Sequence, residues 1–131
     1  MQLRKLYKFI LIVIFTLLIV GGGAVYYLNS GLETGEKLSI GSFDLATIKD
    51  GVYLGKYEAG RFSNKVKVKV KDSKIEQISL EEDVIFARTE ITEKLFERVL
   101  KNQNISIDTI SGATVTCKAY LKAIENALAT K

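Results

Sequence analysis

The chain has 131 residues, with 19 Lys and Arg against 15 Asp and Glu, no His, no Pro, no Trp and a single Cys. One domain is the natural count. The absence of His excludes imidazole metal sites, His-dependent triads and a His general base, and a lone Cys excludes an intramolecular disulfide, a Cys-x-x-Cys redox pair and a thiolate cluster. The net charge of +4 is unevenly placed: residues 1 to 28 hold Arg4, Lys5 and Lys8 and no acid, leaving sixteen cations against fifteen acids for the rest. The basic balance therefore does not point to nucleic acid.

Those cations stand directly before Phe9 to Leu28, twenty residues without a charge. A helix of that length crosses the roughly 30 Å hydrocarbon core of a bilayer. The Gly21-Gly22-Gly23-Ala24 stretch imitates the small residues of a signal-peptide cleavage site, but Val25 to Leu28 carry the apolar run onward, which favours an uncleaved anchor. No Cys near its end allows lipoprotein processing. The alternative, a buried core helix, needs more protein than a chain this small supplies to cover so evenly apolar a segment. Cations before the span predict a cytoplasmic N-terminus and a C-terminal part outside the cytoplasm, with Tyr26 and Tyr27 at the outer interface.

Residues 29–49 change to Gly, Ser, Thr and mixed charge and read as a tether, with a short helix or turn near Phe43 to Ile48 that packs onto the domain. Residues 50–131 are then the folded module. It opens with the turn signal Asp50-Gly51 and a strand from Val52 to Gly60. Lys65 to Lys71 alternates strictly, Val66, Val68 and Val70 on one face and lysines on the other, as in a strand with one face on a core and one in water. Asp72-Ser73 turns the chain into a hairpin partner, Lys74 to Leu80. The lysine row reads as a solvated strand face, with Glu76, Glu81, Glu82 and Asp83 close in sequence, in preference to a basic binding patch.

After an acidic loop, Ile91, Leu95, Phe96, Val99 and Leu100 lie at helical spacing and predict an amphipathic helix with Thr89 as N-cap, ended by Asn102-Gln103-Asn104. Ile105 to Ile110 reads as a short alternating strand. A last helix over 116–129 presents Ala119, Tyr120, Ala123, Ile124, Ala127 and Leu128 on one side. The order β-β-β-α-β-α indicates an α+β domain, a mainly antiparallel sheet packed with two helices behind a transmembrane helix.

Chemistry is most plausible at Ser111-Gly112-Ala113-Thr114-Val115-Thr116, where the chain turns into that helix. A helix start offers unpaired N–H groups and the positive end of the dipole, so it receives phosphate readily. Gly112 lets backbone approach a bulky anion, and a neighbouring hydroxyl either caps the helix or is available for esterification. Spacing alone leaves a plain N-cap open.

The segment Asp108 to Thr116, followed by Lys118-Ala119 and Ala123 to Leu128, resembles the signature of FMN-binding domains that carry covalently attached flavin, as in sodium-pumping NADH:quinone reductase, Rnf-type complexes and extracellular electron-transfer proteins. Asp50 to Gly55 and the Val66 to Ile75 hairpin also resemble the opening of that family. The resemblance implies that a separate flavin transferase joins FMN through its phosphate to the last Thr of the motif, Thr116, with Thr114 the alternative acceptor. Asp108, Ser111, Gly112, Ala113 and Thr114 are implied to form the recognised loop. Two features depart from the family's pattern: Asp83 to Ile91 lacks a Pro-Gly stretch, and Cys117 stands where Ser is common.

Tyr53, Tyr57 and Phe62 are the nearest aromatic faces for an isoalloxazine ring, each with core packing as the equal alternative. Arg61 either faces the ring or phosphate or lies in solvent; Lys118 either holds phosphate or points to solvent; Cys117 reads as a small packing residue. The expected protein is a membrane-anchored, extracytoplasmic electron carrier with covalent FMN, itself the substrate of the transferase. Its expected partners are membrane or extracellular redox proteins, with lipid around the anchor and no nucleic acid. The alternatives are an anchored non-redox module that binds FMN without a bond or not at all, and a scaffold subunit of a membrane complex.

Overall fold

A computed structural model of the chain describes residues 1–129; Thr130 and Lys131, where the expected domain ends, lie outside the described residues. Helix α1, Gln2–Asn29, contains the whole uncharged run and has no buried residue. Twenty-eight residues extend about 42 Å. A helix so apolar and so uncovered is long enough to cross a bilayer, which supports a single-pass membrane protein.

The sheet is three-stranded and antiparallel in the order β1-β2-β3, with β1 at Gly51–Tyr57, β2 at Asn64–Lys71 and β3 at Lys74–Glu82. Asp72 and Ser73 both have positive φ, 52° and 59°, the geometry that a two-residue hairpin needs to match strand twist. Val66, Val68 and Val70 are fully buried. Across the outer face Lys67 meets Glu81 at 2.5 Å and Lys69 meets Glu76 at 2.6 Å, so the lysine row is a solvated, ion-paired face. The hydrogen bond from Lys69 holds the Glu76 carboxyl below its ordinary range. Irregular register between Lys69 and Val70 explains why β3 buries Ile75 and Ile78, three residues apart, where a regular strand would alternate.

Helix α2, Leu32–Glu36, follows α1, and α3, Thr89–Asn102, and α4, Thr114–Ala129, pack on the domain. All six residues expected on the inner side of α4 are buried, with Cys117 and Leu121 beside them. Its Ala123 and Ala127 meet β1 backbone to backbone: a Cβ added at Gly55 would lie 1.9 Å from the Ala123 carbonyl oxygen. Gly55 is therefore required by contact.

Three local expectations are corrected. Thr89 is the first residue of α3, and Arg88 occupies the cap position without a side-chain bond. Ile105 to Ile110 forms no ladder: Ile105 is buried, but the Asp108 carbonyl accepts from Arg98 Nη1 on α3 at 3.1 Å. Alternation there records one-sided burial without a neighbouring strand. The tether, finally, is packed down. Leu32, Leu38, Ile40, Phe43 and Leu45 lie on the core, and Ile48 is buried. Side chains of α4 strap this segment, with Glu125 Oε2 accepting from Gly41 N–H at 3.0 Å and Lys118 Nζ donating to the Glu36 carbonyl at 2.8 Å. The short element expected near Phe43 to Ile48 is a 3₁₀ turn, Leu45–Thr47, capped by Asp44.

Val68→Asp is expected to cost more than about 3 kcal/mol, because it buries a carboxylate without a partner, whereas Lys67→Asp on the opposite face costs about 1 kcal/mol or less. Thermal unfolding of the two variants separates them, and equal losses would contradict the register.

Candidate functional site

The loop before α4 is a tight turn closed by Ala113 N–H donating to the Ile110 carbonyl at 3.0 Å, with Gly112 in the left-handed region at φ 78°. Ala113 is buried, and its carbonyl accepts from Cys117 N–H at 2.9 Å, the first bond of the helix. Thr114, Val115 and Thr116 thus occupy the first turn, where helix geometry supplies no carbonyl for their N–H groups. These donors and the helix dipole face the same direction, toward an anion.

A cavity of about 310 Å³ opens there. The segment from Gly112 to Thr116 forms one wall, and Leu32, Arg61, Phe62, Ile85, Phe86 and Arg88 form the rest. Two guanidinium groups and no carboxylate line it. Arg88 Nη2 donates to the Gly112 carbonyl at 3.3 Å and so reaches across to the loop. The Arg61 guanidinium lies 4.6 Å from the centroid of the Phe62 ring, and its Nε is buried without a partner.

The wall opposite α4 is held by a buried polar link. Tyr120, on α4, donates to Asp83 Oδ1 at 2.5 Å and accepts from Thr92 Oγ1 at 3.3 Å. Its ring meets Phe96 edge to face at 5.8 Å. Burial and the bond to Asp83 push the Tyr120 hydroxyl well above its ordinary range, so it remains a donor. The chain then passes through the Ile85–Phe86 turn, where Ile85 N–H donates to the Arg61 carbonyl at 2.9 Å.

Of the residues named from sequence, Gly112, Ala113, Thr114 and Thr116 line the cavity, as do Arg61 and Phe62. Asp108, ahead of the loop, and Ser111, within it, are exposed and do not line the cavity. Tyr53 donates to the Lys49 carbonyl at 2.7 Å, Tyr57 is buried, and neither reaches the site. Lys118 is spent on Glu36, and Cys117 is a buried packing residue whose thiol pKa burial raises. Sequence reasoning missed Leu32, Ile85, Phe86 and Arg88. Phe86 carries the clearest signal, a large aromatic residue within the apolar run Val84 to Ala87, which belongs to no expected strand or helix.

The family model of FMN-binding domains matches residues 60–129, from the turn that carries Arg61 to the end of α4. The chain belongs to the FMN-binding domain family. Among curated proteins no significant match is found.

The cavity residues suit FMN as the cofactor. The N–H groups of Thr114 to Thr116 and Arg88 are donors for a phosphate, and the exposed Phe86 offers an aromatic face for a flavin ring, whereas Phe62 is buried beneath Arg61. Because bonds from a guanidinium to an anion are worth about 1.5–3 kcal/mol, Arg88→Gln should weaken association of FMN with the apo chain by roughly 10-fold or more. Binding of riboflavin, which lacks the phosphate, should change little. Titration followed by flavin fluorescence compares the two, and equal losses would remove Arg88 from phosphate binding.

Proposed function

We propose that this FMN-binding domain is a membrane-anchored electron carrier outside the cytoplasm, with FMN joined through its phosphate to a threonine of the α4 entry loop by a separate flavin transferase. The observation that carries the reading is the acid-free cavity in which two guanidinium groups, a helix start and two threonine residues converge. In the attachment step a threonine hydroxyl oxygen attacks the flavin-side phosphorus of FAD and the phosphoanhydride bond breaks. AMP leaves, and the hydroxyl proton passes to the transferase. Bound flavin supplies electron transfer in steps of one or two. The protein's own residues hold the phosphate, flank the ring and keep the cofactor beside the membrane. Redox proteins of the membrane or of the extracytoplasmic space are the partners this role requires.

The two hydroxyls differ in reach. Thr114 is exposed as the first residue of α4, next to the open left-handed Gly112, whereas Thr116 is partly buried farther along the same turn. A transferase must bring its own active site to the oxygen, so accessibility favours Thr114 over Thr116, the acceptor that the motif resemblance implies. Co-production with a flavin transferase, followed by intact mass and in-gel fluorescence after denaturation, decides the matter. Thr114→Val is expected to abolish protein-bound flavin, and Thr116→Val to retain it. The reverse result restores Thr116. Flavin that leaves on denaturation of the parent chain would replace the covalent carrier by a non-covalent binding module.

Orientation follows from Arg4, Lys5 and Lys8, which precede the span with no cation inside it. Protease added to spheroplasts should digest the domain from Lys49 onward, and complete protection would reverse the topology.

A further inference from the structure

We propose that the rim of the FMN cavity docks on the bilayer surface through Ile85 and Phe86, so that the cavity opens at the lipid headgroup layer. The inference rests on the reading of α1 as a membrane anchor and adds a second, peripheral contact to it. Asn29 ends α1, and Leu32, three residues on, already lines the cavity. Three residues span at most about 10 Å, while the headgroup region on each side of the hydrocarbon core is about 5–8 Å deep.

The short connection is not a loose hinge. Gly31 and the turn at Gly60–Phe62 meet without room for side chains: a Cβ at Gly31, φ 84°, would lie 2.2 Å from the Ala59 carbonyl oxygen. One at Gly60, φ 52°, would lie 2.4 Å from Ser30 Oγ. The end of α1 therefore sits directly on the turn that carries Arg61 and Phe62. The Ile85–Phe86 turn is tied to that same turn by the bond from Ile85 N–H to the Arg61 carbonyl. Anchor, cavity floor and rim form one connected unit.

Beyond α1, the large apolar side chains exposed among the described residues are Val52, Leu54, Ile85 and Phe86. Val52 and Leu54 lie opposite Lys69 and Lys67 on the ion-paired sheet face, which suits water. Phe86 is different, 71% exposed and held at φ 62°, a conformation unfavourable for an aromatic residue and, at that exposure, little repaid by packing within the domain. Its neighbour Ile85 is 43% exposed. Burial of this pair among lipid headgroups and upper acyl chains supplies further compensation.

The chain contains no Trp, so single substitutions report position directly. The full chain is placed in nanodiscs of zwitterionic and anionic phospholipid that contain lipid brominated near the headgroup. Three variants are compared, Tyr27→Trp at the end of the span, Phe86→Trp at the rim and Lys74→Trp at the far hairpin. The rim is expected to lose emission nearly as strongly as Tyr27→Trp and to shift to the blue, with Lys74→Trp unquenched. Ile85→Trp repeats the rim measurement should Phe86→Trp fold poorly. Quenching at Tyr27→Trp with both rim variants as dry of bromine as Lys74→Trp overturns the docking alone. No quenching at Tyr27→Trp removes the anchor and the docking with it. None of these readings requires bound flavin, so failure of covalent attachment is seen separately.

Discussion

The seating of α4 on β1 is the constraint from which the site follows. Gly55 allows the backbone of Ala123 and Ala127 to touch the sheet, which brings the helix closer than any side chain at that position permits. The small residues Ala119, Ala123 and Ala127 recur every fourth position and make this face nearly flat. Once the helix lies there, its N-terminus is fixed in space. The loop from Ile110 to Ala113 has only to turn the chain into it, and the left-handed Gly112 does so without a steric penalty. Direction of the dipole and position of the threonines are then consequences of packing far from the cavity.

The opposite wall depends on a polar device inside the same core. Tyr120 is fully buried, and its hydroxyl joins Asp83, at the exit of β3, to Thr92 on α3. A buried hydroxyl left without a partner costs about 1–3 kcal/mol, so the link specifies where the chain must leave the sheet. Two residues after Asp83 comes the Ile85–Phe86 turn. Helix α4 thereby positions both sides of the cavity, one through its N-terminal backbone and one through the Tyr120 side chain.

Much of this was legible in the residues. Strict alternation from Lys65 to Lys71, a two-residue turn and a returning strand leave one sensible hairpin, and the helical spacing from Ala119 to Leu128 marks its buried face correctly. Local patterns fail where a contact is made by distant chain. Ile105 and Ile107 alternate with Ser106 and Asp108 as a strand would, yet no strand pairs with them. Leu32 and Ile40 sit in a polar segment whose burial depends on Lys118, Lys122 and Glu125 reaching across from α4. Arg88 and Phe86 join the site only because the Tyr120 link bends the chain toward α4, and nothing in the spacing of Asp83 to Ile91 carries that information.

The form of the cavity bears on why a covalent bond would serve this protein. A cleft of about 310 Å³ lies at the low end for small-ligand sites, and Phe86 on its rim stands largely in the open. Such a site grips a phosphate better than it encloses a three-ring flavin. Non-covalent affinity would rest on a few charge-assisted hydrogen bonds, and with the proposed orientation a lost cofactor would have no pool from which to return. A phosphodiester at the helix start turns rebinding of the ring into an intramolecular event, with an effective concentration in the millimolar range or above for a short link. The ring can then stay accessible to a redox partner while remaining bound. Under the proposed carrier role, an open rim, which would be a defect in a site that relies on burial, would be the feature that lets electrons enter and leave.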